Sequence, residues 1–226
     1  MHLSVYGDSI AAAYGLNPAQ GFVPKLANHL STYSQTVTRY FNFGQDGMTS
    51  WELASAFLNH ADWWDGLRGA SAICILIGGD DLIQEAAILL GAHSDRAQKR
   101  TFARSRTAYL ALLAAASSLK NKSARLAVGT LYNPFPQTPA AEAAINLYNT
   151  QIILPAAKRY GVPVAPIHAA FAGAQAELIL GYKTGVAGTP GNHGVRYPIH
   201  PNAHGQTVIA GAFASTLVGS LPSPKQ

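Results

Sequence analysis

Short apolar runs alternate with longer amphipathic stretches along nearly the whole chain. Five runs have the length and the β-branched or aromatic content of strands: Leu3–Tyr6, Thr36–Phe41, Ala72–Ile77, Leu126–Leu131 and Val162–Ala165. The third reads Ala-Ile-Cys-Ile-Leu-Ile and is apolar on both faces, as a central strand covered by helices on each side must be. Between the runs the spacing predicts helices over Gly21–Ser31, Ser50–His60, Arg96–Leu119, Ala140–Tyr160 and Asn202–Leu217, with Pro155 kinking or shortening the fourth. Such alternation predicts an α/β fold, with a five-stranded parallel sheet held between two helical layers as an α/β/α sandwich. No internal repeat or linker interrupts the pattern, so residues 1–226 are expected to form one domain, frayed only in the Pro-Ser-Pro-Lys-Gln tail.

Composition narrows the function classes. Only 12% of the 226 residues are charged and 48% are apolar, which excludes a disordered polyelectrolyte and supplies a continuous core. The net charge of +5 suggests an acidic partner, and eight of the sixteen basic residues fall between Arg96 and Arg125 with no acid among them. Along that helix, however, Phe102, Tyr109, Leu112, Ala116 and Leu119 occupy the opposite face, so the basic side reads as solvated surface. No aromatics interleave with the charges to stack bases, and no nucleic-acid partner is expected. Cys74 is the single cysteine, which excludes an intrachain disulfide and a thiolate metal site and suits a small buried hydrophobe. A first strand beginning at residue 2 leaves no room for a leader, so a cytoplasmic protein is expected, with a secreted mature form as the alternative. The uncharged C-terminal stretch is broken by His204, Gln206 and several Gly and Ser, so no membrane span is expected.

In sheets of this kind, chemistry gathers where strands end. The loops after the first four strands carry Gly7-Asp8-Ser9, Asn42-Phe43-Gly44-Gln45-Asp46-Gly47, Gly78-Gly79-Asp80-Asp81 and Tyr132-Asn133-Pro134-Phe135. The last long loop carries Tyr197-Pro198-Ile199-His200-Pro201-Asn202. Taken singly, each has an ordinary reading. Asp8 and Ser9 suit a helix cap, and the glycines suit a tight turn. The acid pair lacks companions at metal-ligand spacing, and an isolated histidine is usually structural.

Together and in this order, the motifs resemble the SGNH, or GDSL, hydrolase family over almost the whole chain, from Leu3 to about Leu217. The resemblance implies a flavodoxin-like sandwich, a serine nucleophile at Ser9 and a general base at His200. It also implies an oxyanion hole from the N–H groups of Ser9 and Gly47 and an asparagine side chain at position 80, with no cofactor and no metal. The implied activity is hydrolysis of carboxylic esters through an acyl-enzyme, as an esterase or lipase acting on a small-molecule acyl ester of a lipid or an acylated sugar. Asn133 and Phe135 would line the acyl side, and Trp63 and Trp64 fit either that pocket or ordinary packing. A monomer or a small homo-oligomer is expected.

Two positions depart from the family pattern. Position 80 is Asp80, which has no amide donor, and the acid usually found three residues before the histidine is Tyr197. No acid occurs after Glu177 at all, so His200 must act in a dyad or take support from elsewhere, with Asp8, Asp81 and Tyr197 as the candidates. A main-chain carbonyl near residue 197 is the expected acceptor at His200 Nδ1. Asp80 must be protonated to donate while His200 must be neutral. With ordinary pKa values of about 3.9 and 6.5, at most about 0.2% of molecules satisfy both conditions. These departures leave two alternatives: a non-catalytic family member that binds an acyl or carbohydrate ligand, and an acyltransferase using the same acyl-enzyme.

Overall fold

The computed structural model describes residues 1–91 and 95–219, and the side chains of these apart from positions 86–101. Five strands form one parallel sheet: β1 (His2–Gly7), β2 (Arg39–Gly44), β3 (Ala72–Leu76), β4 (Arg125–Gly129) and β5 (Val164–Ala165), in the order β2-β1-β3-β4-β5. Ten α-helices are described: α1 (Phe22–Ser34), α2 (Ser50–Asn59), α3 (Ala61–Gly69), α4 (Gly79–Gly91), α5 (Asp95–Leu119), α6 (Pro139–Tyr148), α7 (Leu154–Tyr160), α8 (Ile167–Phe171), α9 (Gln175–Leu178) and α10 (Ala203–Gly219).

The three-layer sandwich follows from strand alternation. On β3, Ile73 and Ile75 enter one core with Tyr6 of β1 and Leu126 and Val128 of β4, beneath residues of α2, α5 and α7. Ala72, Cys74 and Leu76 enter the other core with Leu3, Val5 and Ala127, beneath α1 and α10. Successive side chains of a strand point to opposite faces, so a strand apolar at every position belongs in the middle of the sheet. Cys74 is fully buried there, and burial pushes its thiol pKa well up, consistent with a packing residue rather than a reactive one. Phe102, Tyr109, Leu112 and Ala116 of α5 are buried as their spacing predicts, and Leu119 packs against the same core. The basic residues at 96, 99 and 100 lie outside the described side chains.

Three differences from the sequence reading have physical causes. Strand β2 starts at Arg39 rather than Thr36, because it pairs in register with β1 from His2↔Arg39 to Gly7↔Gly44. As an edge strand it is largely exposed, so hydrophobic pattern says little about its ends. Helix α4 begins directly in Gly79-Asp80-Asp81, a sequence with loop chemistry, and α3 is a short additional helix. At Pro155 the helix expected over 140–160 is interrupted without ending: residues Asn149–Ile153 form a π turn between α6 and α7, and Leu154 N–H bonds the Asn149 carbonyl five residues back. The wider turn falls just where proline withdraws its own N–H.

Among the described residues, no helix is long and apolar enough to cross a membrane.

Candidate active site

Strands β2, β1 and β3 are neighbours, so the loops at their C-terminal ends meet at one edge of the sheet. After Gly7 the chain enters a run of turns rather than the helix expected from the motif. Ala12 N–H bonds the Asp8 carbonyl (3.0 Å) and Tyr14 N–H bonds the Ser9 carbonyl (2.9 Å). Ala13 sits in the left-handed region (φ 57°) although it is not glycine, a conformation that costs about 1–2 kcal/mol. It is buried, and the following Tyr14 emerges half-exposed. The Tyr14 ring centroid lies 4.6 Å from that of His200.

The second loop is tied to the first. Asn42 Nδ2 donates to the Ala11 carbonyl (2.8 Å), and a Cβ at Gly44 would come within 2.5 Å of Ala12 N, so only glycine permits this approach. Gln45–Met48 then forms a β-turn closed by Met48 N–H to the Gln45 carbonyl (3.2 Å). Gly47 stands third in that turn with φ 76°, the sign that a type II turn demands there. Thr49 opens α2 with a capping box to Glu52. Asp81 pins the start of α2: its carboxyl oxygens accept Ser50 N–H (2.7 Å) and Ser50 Oγ–H (2.6 Å).

His200 arrives from the far end of the chain. Leu180 N–H bonds the His200 carbonyl and Asn202 N–H bonds the Leu178 carbonyl, both at 2.8 Å, around an antiparallel bridge between Ile179 and Pro201. Asn202 Oδ1 caps α10 by accepting from His204 N–H (2.9 Å) and Gly205 N–H (3.0 Å). Gln206, one turn on, binds Phe22 N–H (2.8 Å) and donates to the Ile10 carbonyl (3.1 Å), joining α10 to the Ser9 turn. The outcome is a 3.0 Å hydrogen bond between His200 Nε2 and Ser9 Oγ, across 191 residues. Burial lowers the His200 pKa, while the Asp46 carboxylate acts in the opposite direction and more weakly. Among the described residues, neither the Ser9 nor the Gly47 N–H donates a hydrogen bond.

The expected supporters of His200 lie elsewhere. Tyr197 is exposed, packs against the Arg196 guanidinium, and lends its carbonyl to Ile199 N–H (2.9 Å). No acceptor among the described residues engages His200 Nδ1, so the carbonyl expected near residue 197 does not serve it. The short Tyr197–Ile199 contact has turned that carbonyl back into its own loop. Asp81 is committed to Ser50. Asp8 is buried, and one of its oxygens accepts Ile10 N–H (3.0 Å). Burial raises the Asp8 pKa to about 7, aided by the nearby Asp80 and Asp81.

Asp80 occupies the first turn of α4, half-buried, and its pKa is raised to about 6 by burial and by Asp46, Asp81 and Glu52. Its electrostatic neighbours Asp46 and Asp8 directly precede Gly47 and Ser9 in the chain. Asn133 turns inward: its amide donates to Glu142 Oε2 (2.7 Å), its Oδ1 accepts Phe135 N–H (2.8 Å), and its carbonyl accepts from Gln175 (3.2 Å). It holds the loop after β4 together, and Phe135 is half-buried beside it. Trp64 donates its indole N–H to the Phe57 carbonyl (2.7 Å), and Trp63 joins an aromatic cluster with Tyr6, Phe43 and Phe57. Among the described residues no group of three or more His, Cys, Asp or Glu side chains is arranged to hold a metal ion.

Sequence reasoning passed over Tyr14, Asp46 and Trp51. Nothing in the sequence marks Tyr14, because its position depends on the left-handed Ala13. Asp46 stood inside a quoted motif, and its spatial reach to His200 and Asp80 needed the folded loops.

A model of the GDSL-like lipase/acylhydrolase family matches residues 5–208, and the chain belongs to that family. At the level of the family it is a carboxylic ester hydrolase. Among solved structures, it is similar to the lipase Lip_vut3 from a goat rumen metagenome (TM-score 0.77, 19% identity, 96% of this chain and 97% of that one). It is also similar to Axe2, an acetylxylan esterase from Geobacillus stearothermophilus (TM-score 0.68, 16% identity, 96% and 93%), and to TesA (TM-score 0.63, 21% identity, 98% and 100%). At these identities the likeness is one of fold. No curated protein matches the sequence.

Proposed function

We propose that the protein hydrolyses carboxylic esters through an acyl-enzyme formed on Ser9. The observation that carries this reading is the 3.0 Å contact of His200 Nε2 with Ser9 Oγ; among the described residues the N–H groups of Ser9 and Gly47 are also left without an acceptor. Ser9 Oγ attacks the ester carbonyl carbon while its proton passes to His200 Nε2. The resulting oxyanion accepts from the Ser9 and Gly47 N–H groups, and from Asp80 when that side chain is protonated. Collapse breaks the bond to the alcohol oxygen, which leaves with the proton from His200. Water then attacks the acyl-enzyme by the same route and releases the acid.

The lowered pKa of His200 supports this assignment, since a general base must be neutral at working pH. Without a carboxylate at Nδ1, the ring is held by Ser9 at Nε2 and by Tyr14 on its face, and the Asp46 field favours the imidazolium that forms. Such support is weaker than a directly bonded acid.

The test is labelling by a fluorophosphonate probe together with turnover of p-nitrophenyl esters from two to sixteen carbons. Wild type should label and turn over. Ser9→Ala should do neither, with activity reduced by about 10⁶, while its circular dichroism and melting remain those of wild type. Ten per cent residual activity in purified Ser9→Ala contradicts the assignment. Absence of labelling in the wild type points instead to a ligand-binding protein without turnover.

A further inference from the structure

A cleft of about 500 Å³ begins at the Gly47 turn and runs along α2. Its wall includes Trp51, Glu52 and Ser55 from one helix face, with His60 and Trp63 at the far end. From Trp51 to His60 the helix advances about 14 Å, so the cleft is longer than a small alcohol needs. Gln45 and Asp46 join Gly47 in lining its near end, and the Asp46 field also reaches His200. The cleft therefore shares Gly47 with the oxyanion hole of the esterase reading.

We propose that this cleft binds the sugar portion of an acylated carbohydrate, with Trp51 as the stacking platform; this rests on the esterase reading above. Trp51 is 51% exposed, a costly position for so large an apolar ring. The Arg104 guanidinium lies 5.5 Å from its ring centroid and holds the indole in place. Around it stand polar groups with unused bonding capacity. Glu52 engages Thr49 only through Oε2, which leaves Oε1 unbonded among the described residues. Among the described residues no hydrogen bond occupies the side-chain amide of Gln45 or the His60 ring, although the Gln45 backbone N–H bonds the Gly7 carbonyl. A flat apolar ring flanked by a carboxylate, an amide and an imidazole matches a sugar, with its apolar C–H face and its ring of hydroxyls.

Two other ligand classes fit less well. A cationic alcohol would suit the acids, but such sites enclose the cation between several ring faces. Here the Trp63 ring is already packed among Tyr6, Phe43 and Phe57, which leaves one available indole in an open cleft. An anionic ligand finds no lysine or arginine among the described residues lining the wall and meets Asp46 and Glu52, while Arg104 behind Trp51 already acts on the Glu52 carboxylate.

The experiment compares cellobiose octaacetate, acetylcholine and p-nitrophenyl acetate as substrates of wild type, Trp51→Phe and Trp51→Ala. Trp51→Ala should raise KM for cellobiose octaacetate at least tenfold and leave kcat/KM for p-nitrophenyl acetate within twofold, while Trp51→Phe recovers most of the loss. In parallel, Ser9→Ala is titrated with cellotetraose, mannotetraose and chitotetraose by isothermal titration calorimetry. At least one should bind, and Ser9→Ala/Trp51→Ala should not bind it. Equal losses on all substrates, a Trp51-dependent preference for acetylcholine, or no Trp51-dependent binding of any oligosaccharide overturns the proposal. If wild type hydrolyses no ester, the esterase reading fails, and the calorimetric titration still decides whether the cleft binds sugars.

Discussion

Replacing Asp80 by asparagine separates the contributions to the oxyanion hole with unusual clarity, because the expected effect depends on pH. With the Asp80 pKa raised to about 6 and that of His200 lowered below 6.5, the two titrations overlap. Near pH 6.25, more than about a tenth of molecules then carry protonated Asp80 and neutral His200, against about 0.2% for unperturbed groups. On the mechanism proposed above, burial and the acids at 46, 52 and 81 would thus let Asp80 act as a donor in part of the molecules. An amide donates at every pH. If ionised Asp80 is inactive, Asp80→Asn should exceed wild type in kcat by about twofold at pH 6, about tenfold at pH 7 and about a hundredfold at pH 8. The residual strength of the Ser9 and Gly47 donors caps the ratio, since one lost donor costs about 10²–10³ in kcat. The assay is initial-rate hydrolysis of a simple acetate ester, both proteins measured in the same buffers from pH 5 to 8.5. A ratio that is flat across this range, or that falls below one, refutes the reasoning and assigns the carboxylate a different role.

Two further outcomes follow from the buried acids. Asp81→Ala removes both acceptors of Ser50 and leaves its buried N–H and hydroxyl unpaired. Thermal unfolding should show a loss of about 2–6 kcal/mol for two unsatisfied neutral groups, with kcat reduced because the Gly47 turn is no longer anchored; Asp81→Asn, which retains one acceptor, should be milder in both respects, and equal melting of Asp81→Ala and wild type contradicts the anchoring role. Asp8 has a folded pKa of about 7 against an ordinary 3.8, so its ionised form is disfavoured in the native state. The stability associated with its protonated form is complete below about pH 4 and is lost as pH rises through about 7, on the order of 4 kcal/mol in total. Asp8→Asn should therefore melt higher than wild type at pH 8 and lose most of that advantage at pH 5; an advantage independent of pH would show that the Asp8 carboxyl is not the titrating group.

Much of this architecture was legible in one dimension because its causes are local or periodic. The doubly apolar Ala72–Ile77 run could only be a covered central strand, and the face containing Tyr109, Leu112 and Ala116 could only be the inner side of a helix. Ser9, Gly47 and His200 could be singled out as candidates because each stands in a motif whose order along the chain is distinctive, and the structure brings Ser9 and His200 into contact. What the fold alone decided concerns contacts between distant segments. His200 meets Ser9 only because Gln206, Asn202 and the Ile179–Pro201 bridge bring the C-terminal loop against the β1 turn. Tyr14 covers the histidine because Ala13 adopts a backbone region that its sequence does not announce. Asp81 became an anchor and Asp80 a raised-pKa acid by virtue of what α2 and the Asp46 turn set against them. Periodicity reports which face of an element is buried; hydrogen-bond partners and electrostatic fields depend on distances between elements, and those exist only once the chain has closed.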